Sequence, residues 1–259
     1  MLITAGALTG FIVGLTGVGG GALMTPLLLL VFGVAPPTAV GTDLWFAAIT
    51  KLAIAPIHQK AGLIDWGVLR LMWAGSLSAS AATLIWMRMQ PVDAHGASLL
   101  RAAIAVGVCL TSVTVLSQKG LHTLGWRFGL SSPETRNRYQ APLTIAAGGL
   151  LGALVTLTSI GAGALGVVLL LYLYPSRLTP PRLIATDIAH AIPLAIFAGL
   201  GHLLISNVDF ALLRNLLIGS IPAAILGATL SSRLTHGRLR VALALVLLVV
   251  GIKMMGDAF

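Results

Sequence analysis

Acidic side chains are scarce in this sequence, and two of them stand in matching hydrophobic surroundings: Thr42-Asp43 and Thr186-Asp187, 144 residues apart. An ionisable group at membrane depth is costly to bury, which makes it a candidate for ion coupling, gating or substrate contact. A threonine or aspartate ahead of an apolar run is also an ordinary helix N-cap, and that role competes with the functional one. Lys51 stands near the middle of the hydrophobic block that contains Asp43, and Ala195 takes the corresponding place in the second half. Such a lysine offers the fixed positive charge that an anion needs, unless its long stem carries the ammonium to an interface. His190, three residues after Asp187, replaces Phe46 of the first half and is a candidate ligand contact or proton relay. A hydrogen-bonded packing histidine is the alternative.

Two glycine-rich runs offer a second kind of chemistry. Thr16-Gly17-Val18-Gly19-Gly20-Gly21 recurs, after a two-residue slip in register, as Thr158-Ser159-Ile160-Gly161-Ala162-Gly163. Glycine costs about 1 kcal/mol relative to alanine inside a helix but permits turns. A half-helix beginning near Gly20 or Gly163 directs unpaired N–H groups and the positive end of its dipole toward the break, where an anion can be held. Thr16, Thr158 and Ser159 add hydroxyl donors. Close helix packing explains one such run equally well. Two of them, at repeat-related positions in overlong segments, point to a binding site.

The echo extends further along the chain. His58 and His202, Asp65 and Asp209, Arg70 and Arg214, and Gly75-Ser76 and Gly219-Ser220 keep the same separation. The chain is therefore duplicated, with a first repeat at residues 1–117, a polar linker at 118–140 and a second repeat at 141–259. Eight hydrophobic blocks cover roughly 2–34, 40–58, 67–87, 98–117, 141–174, 184–205, 209–232 and 239–256, and a spanning helix needs about 20 apolar residues. The first and fifth blocks are too long for one straight crossing, and their arms, about 15 residues each, are too short to cross alone. Each is expected to form a glycine-tipped re-entrant hairpin, or a pair of short tilted spans, followed by three transmembrane helices.

Basic residues orient these elements. If each long block enters and leaves on one face, the loops with Lys60, with Lys119 to Arg138, with Arg177 and Arg182, and with Arg233 to Arg240 all become cytoplasmic. Arg88 and Arg101 fall on the opposite side. The expected fold is an all-α polytopic membrane protein of two inverted repeats, with a cytoplasmic linker and both termini periplasmic.

Composition agrees with a bilayer environment. With 57% hydrophobic and 9% charged residues and a mean hydropathy of +0.99, the chain has too little polar surface for a soluble globule. Its net charge of +9 comes from basic residues set singly at segment ends, without the dense patch and aromatic interleaving of a nucleic-acid binder. The one cysteine, Cys109, sits in an apolar run, so no disulfide and no cysteine metal site is expected. No cofactor or metal is expected either. The first residues lack a basic flank and a cleavage site, so Met1 to Phe32 should remain in the mature protein. The Asp65 to Arg70 and Asp209 to Arg214 pairs read as helix caps and interface anchors. His58 and His202 are too isolated for a metal site.

The Gly17-Val18-Gly19-Gly20-Gly21 run, Ala39-Val40-Gly41-Thr42-Asp43, Gly62-Leu63-Ile64-Asp65-Trp66 and their second-half echoes resemble the TauE/SafE family of sulfite and organosulfonate exporters. The resemblance covers nearly the whole chain. It implies a bacterial inner-membrane transporter that moves sulfite, sulfoacetate or a related small anion by alternating access, with Thr16 to Gly21 and Thr158 to Gly163 as substrate-facing turns. With a cell interior about 100 mV negative, outward movement of one negative charge gains about 2.3 kcal/mol, so export is expected to need no coupling ion. Seven acidic residues, with no paired intramembrane carboxylates evident, fit that expectation. If a coupling ion is used, Asp43, Asp187 and His190 are the candidates. An anion channel shares the same features. An intramembrane enzyme requires a metal-ligand pair, a carboxylate cluster or a nucleophile with its base, and the sequence shows none, so no residue is assigned as catalytic.

Overall fold

The computed structural model describes residues 1–16, 21–58, 62–89, 94–117, 133–161, 163–175, 177–231 and 237–258. Their regular structure is helical throughout: α1 (Leu2–Thr16), α2 (Gly21–Leu30), α3 (Pro36–His58), α4 (Trp66–Met89), α5 (Ala94–Leu116), α6 (Pro133–Thr158), α7 (Ala164–Leu173), α8 (Pro180–Leu204), α9 (Phe210–Ser231) and α10 (Gly237–Ala258). The second glycine run interrupts its block between Thr158 and Ala164, while residues 17–20 of the first lie outside the described residues. At the second break Ser159, Gly161 and Gly163 have φ of 59°, 122° and 126°, and the two glycines reach values that a side chain would make strained. Among the described residues, six helical stretches are long and apolar enough to cross a membrane: Pro36–Ile57, Trp66–Met89, Ser98–Leu116, Tyr139–Thr158, Pro181–Leu204 and Phe210–Leu230. The chain is a multi-pass, all-helical membrane protein.

One arm departs from the expectation. Helix α6, the arm before the second break, has 26 residues, not the short segment that its apolar count implied. It begins in the polar linker with Pro133, a residue suited to a first helical turn, and polar side chains carry the helix to the apolar stretch.

Glycine contacts reveal the helix directions. On α1, Gly6 lies against Leu216, Gly10 against Ser220 and Gly14 against Ala224 of α9, so the two helices run the same way. On α6, Gly148 lies against Met72 and Gly152 against Ser76 of α4, again in parallel. The seams are repeat copies of one another, and from the opposite side Gly219 meets Ile3 as Gly75 meets Ile145. Each repeat thus lays its first helix on the fourth helix of the other. Helices α5 and α10 also pair across the repeats.

Helices α3 and α8 run antiparallel. Gly41 touches His202, Trp45 Nε1 donates to the Gly199 carbonyl at 3.0 Å, and Ala55 packs with Ile188 and Ile192. Ala55 is the repeat counterpart of Gly199, so the crossing is centred midway between residues 45 and 55, beside Thr50 and Lys51. The base of the α6–α7 hairpin is closed where Gln140 Nε2 donates to the Leu173 carbonyl and the Thr144 and Tyr174 hydroxyls meet at 2.7 Å. Arg177 then grips Asp65, ahead of α4, through two bonds of 2.7 and 2.8 Å. The α1–α2 hairpin has Leu2, Phe32 and Val34 clustered with Leu212, Leu213 and Leu216 at the start of α9. The hairpin bases therefore lie at opposite ends of the α3–α8 pair.

Candidate functional site

Leu44, Ala48, Lys51 and Ala55 recur at helical spacing, and the three apolar members pack against α8 residues, which places Lys51 on the same stripe of α3. Lys51 is 2% exposed, Asp43 0% and Asp187 1%. The ammonium therefore does not reach an interface. Nor are the aspartates helix caps, since Thr42-Asp43 lies inside α3 and Thr186-Asp187 inside α8.

The two threonines have a shared structural task. The Thr42 hydroxyl accepts the Asp209 N–H and the Thr186 hydroxyl accepts the Asp65 N–H, both at 3.1 Å. Each repeat thereby fastens the loop of the other. Asp65 and Asp209 are N-caps as expected, their Oδ1 atoms accepting the amides of Val68 at 3.2 Å and Leu212 at 2.9 Å. The ionic partner of Asp65 is Arg177. Arg70 instead lies exposed on α4.

Residues of α2 and of the break between α6 and α7 converge on the α3–α8 crossing. The Thr25 hydroxyl, in α2, donates to Asp43 Oδ2. The buried Ser159 hydroxyl lies beside the same carboxylate. Asp187 lies beside the Gly163 amide at the start of α7, and its carboxylate fills the space that a side chain at Gly166 would need. Neither Asp187 oxygen has a hydrogen-bond partner among the described residues. Val167 stands where the first repeat has Thr25, so the corresponding hydroxyl is missing. The charge of Lys51 acts on both aspartates. This overturns the expectation of no paired carboxylates: folding brings two carboxylates, far apart in sequence, around one buried ammonium.

The other candidates divide between helix ends and the cluster. Thr16 Oγ1 donates to the Ile12 carbonyl at 2.8 Å and Thr158 Oγ1 to the Leu154 carbonyl at 2.6 Å, so these hydroxyls serve their own helices. Thr158 also accepts the Ile160 N–H at 3.1 Å, which closes α6. Gly17, Gly19 and Gly20 lie outside the described residues, and Gly21 opens α2. Gly161 and Gly163 turn the chain between α6 and α7. His190 is buried, its Nε2 2.9 Å from Ser76 Oγ, and Lys51 acts on it as well. The packing role thus describes one ring nitrogen, while Nδ1 has no partner among the described residues. His202 stands near the end of α8. It is fully buried and its Nε2 donates to the Thr156 carbonyl at 2.9 Å, near the end of α6 where helix carbonyls lack intrahelical partners. His58 is the last residue of α3, and sequence spacing alone held no sign of the burial of its counterpart.

The cluster joins a fixed cation, a helix N-terminus, a serine hydroxyl and two carboxylates away from water. The first three suit a small oxyanion and the carboxylates suit a proton.

Comparison with known proteins agrees with this architecture. The family model described as Sulfite exporter TauE/SafE matches residues 2–254. YjnA of Bacillus subtilis (strain 168), a probable membrane transporter protein, is 35% identical over 98% of this chain and 98% of its own length. YdhB of the same organism, also a probable membrane transporter protein, is 26% identical over 98% of this chain and 99% of its own. A probable membrane transporter protein of Xylella fastidiosa is 26% identical over 91% of this chain and 86% of its own. No solved structure matches. A duplicated helical membrane fold and near full-length matches lead to one assignment: the chain belongs to the TauE/SafE family of membrane transporters.

Proposed function

We propose that this protein exports a small sulfur-containing anion, such as sulfite, sulfoacetate or a related organosulfonate, across the bacterial inner membrane by alternating access. The observation that carries the proposal is the meeting of the Ser159 to Gly163 break with buried Lys51 at the α3–α8 crossing. A helix N-terminus and an ammonium recognise an oxyanion without base or metal chemistry. Thr16 to Gly21 and Thr158 to Gly163 are proposed as the substrate-facing turns. In purified protein reconstituted into liposomes, internal sulfite, sulfoacetate, taurine, thiosulfate or sulfate should drive counterflow of labelled anion. Ser159→Ala should weaken apparent affinity several-fold without loss of assembly, by removing a donor without adding bulk. Gly161→Val should abolish transport, since φ of 122° strains a branched residue. A parent protein that moves none of the five anions would reject the reading, and fast unitary currents without counterflow would replace the carrier by a channel.

We also propose that the halves are inverted repeats whose axis passes the α3–α8 crossing in the membrane plane. Antiparallel pairing of two repeat-related helices, with hairpin bases at opposite ends, supports this arrangement. Basic loops then place both termini in the periplasm and the linker in the cytoplasm. In a Cys109-free background, cysteines near Met1 and Phe259 should label from outside, and one at Arg136 from inside. Labelling of the two termini from opposite sides would overturn this arrangement.

A further inference from the structure

We infer that Asp187 is the proton site of the carrier, and that each anion binds together with one proton taken up by this carboxyl group. The inference rests on the anion-carrier reading above and adds its coupling ion.

Geometry carries the argument. The two positive features offered to an oxyanion are Lys51 and the N-terminus of α7. Asp187 already engages both: it lies beside the Gly163 amide, presses against Gly166 and acts on Lys51. In this closed arrangement the carboxylate holds the place of an anion. A substrate entering there must displace that charge or share the site with it, and two anions in a dry pocket repel strongly. Protonation removes the conflict. The carboxylate oxygen gains the proton, the negative charge disappears, and the new O–H becomes a donor to the entering anion.

Asp43 is less suited to the task. Its Oδ2 accepts the Thr25 hydroxyl and its carboxylate has Ser159 beside it, whereas both Asp187 oxygens lack a hydrogen-bond partner among the described residues. An unsatisfied buried carboxylate is held at high cost, and a proton lowers that cost. The groups around Asp187 narrow the assignment. Helix α3 presents Lys51, and α7 presents the Gly163 amide and Gly166. On α8, His190 follows one turn later and is joined to Ser76 of α4, while α6 brings the apolar Leu151 to Gly166. Among the described residues, Lys51 is the ionisable side chain whose charge acts on Asp187. With two carboxylates and one ammonium, an added anion raises the negative excess, and one proton offsets it.

Transport of a univalent anion with one proton moves no net charge. Export then runs on the substrate's own accumulation, not on the membrane potential. Proteoliposomes loaded with methanesulfonate or sulfoacetate, and purified protein studied by infrared spectroscopy, test this together. An acid interior should speed methanesulfonate efflux at least several-fold, and an inside-negative potential without a pH gradient should leave it unchanged. Asp187→Asn should lose the response to the pH gradient. The infrared titration needs no transported anion: the parent should gain a carboxylic acid C=O band as pH is lowered, and a folded D187N protein should lack it. Sulfonate binding should enlarge the parental band. Efflux that follows potential and ignores pH, or a parent with no such band, overturns the inference. If neither sulfonate moves but the band titrates, the substrate assignment falls and the proton site stands.

Discussion

Lys51→Met will abolish anion counterflow and lower the stability of the protein, and adding Asp187→Asn will recover most of the stability but none of the transport. The reason lies in the charge balance at the α3–α8 crossing. Lys51 is 2% exposed and acts on two carboxylates that are equally buried, so its removal leaves both without compensation. Truncating one partner of a buried charge pair costs about 3–5 kcal/mol, whereas replacing both by neutral groups is often close to neutral. Methionine keeps the length and apolar stem of lysine, so packing changes little. The double variant still contains Asp43, whose Thr25 hydroxyl bond stabilises it locally, and a residual loss is therefore expected. Thermal unfolding of the parent, both single variants and the double variant gives the coupling energy, and counterflow gives the function. Parental transport by K51M removes Lys51 from the anion path. A double variant no more stable than K51M shows that Asp187 is not its main electrostatic partner.

The position of Lys51 also explains why the duplication is broken there. Because α3 and α8 cross about a point beside Thr50 and Lys51, the counterpart position 195 lies close to Lys51 across the centre. A lysine at both places would set two ammonium groups near one another in a dry interface, where like charges repel strongly. Ala195, buried among Leu44 and Ala48, closes the packing instead. A duplicated chain can keep symmetric charges away from its axis, as with Asp43 and Asp187, but a single charge is the stable choice at the centre. The Lys51 to Ala195 difference was visible in the sequence. Its meaning was not, since the register of α3 on α8 depends on contacts such as Trp45 to Gly199 that no local pattern encodes.

Local features of the fold were the legible ones. The break after α6 followed from a glycine cluster in a block too long to cross straight, and the Asp65 and Asp209 caps from their place ahead of apolar runs. What escaped depended on pairing between the halves. Thr42 and Thr186 looked like caps or gates because their partners are backbone amides in the other repeat. The length of α6 escaped because helix formation tolerates polar residues that an apolar count leaves out. At the site, Lys51 and the aspartates were identified as candidates, while their common environment needed the antiparallel crossing. The close glycine seams were missed for a different reason: in an apolar run, a glycine reads first as a weak point in one helix.

Gly152→Val and Gly10→Val will each cut the yield of folded protein by an order of magnitude or more, whereas Gly149→Ala will be tolerated. A Cβ at Gly152 would collide with the Ser76 carbonyl, and one at Gly10 would lie 2.5 Å from the Ser220 carbonyl. Both obstacles are backbone, so rotamer changes give no relief. The helices would have to separate, and with them the close packing between the first helix of one repeat and the fourth of the other. In lipid no hydrophobic gain replaces it, because helix association there depends on close packing, with weak Cα–H···O contacts added. Gly149 is the internal control. It belongs to the same helix, yet the nearest atom to a Cβ there is the Gly75 carbonyl oxygen at 3.9 Å, an ordinary contact. Alanine even favours the helix by up to about 1 kcal/mol in water-based scales. The variants should be compared by monodisperse yield and unfolding temperature in the same detergent, before any transport assay. Normal assembly of both valine variants would show that the repeats are not held together by these seams. Collapse of Gly149→Ala would show that α6 needs glycine for a reason other than its approach to α4.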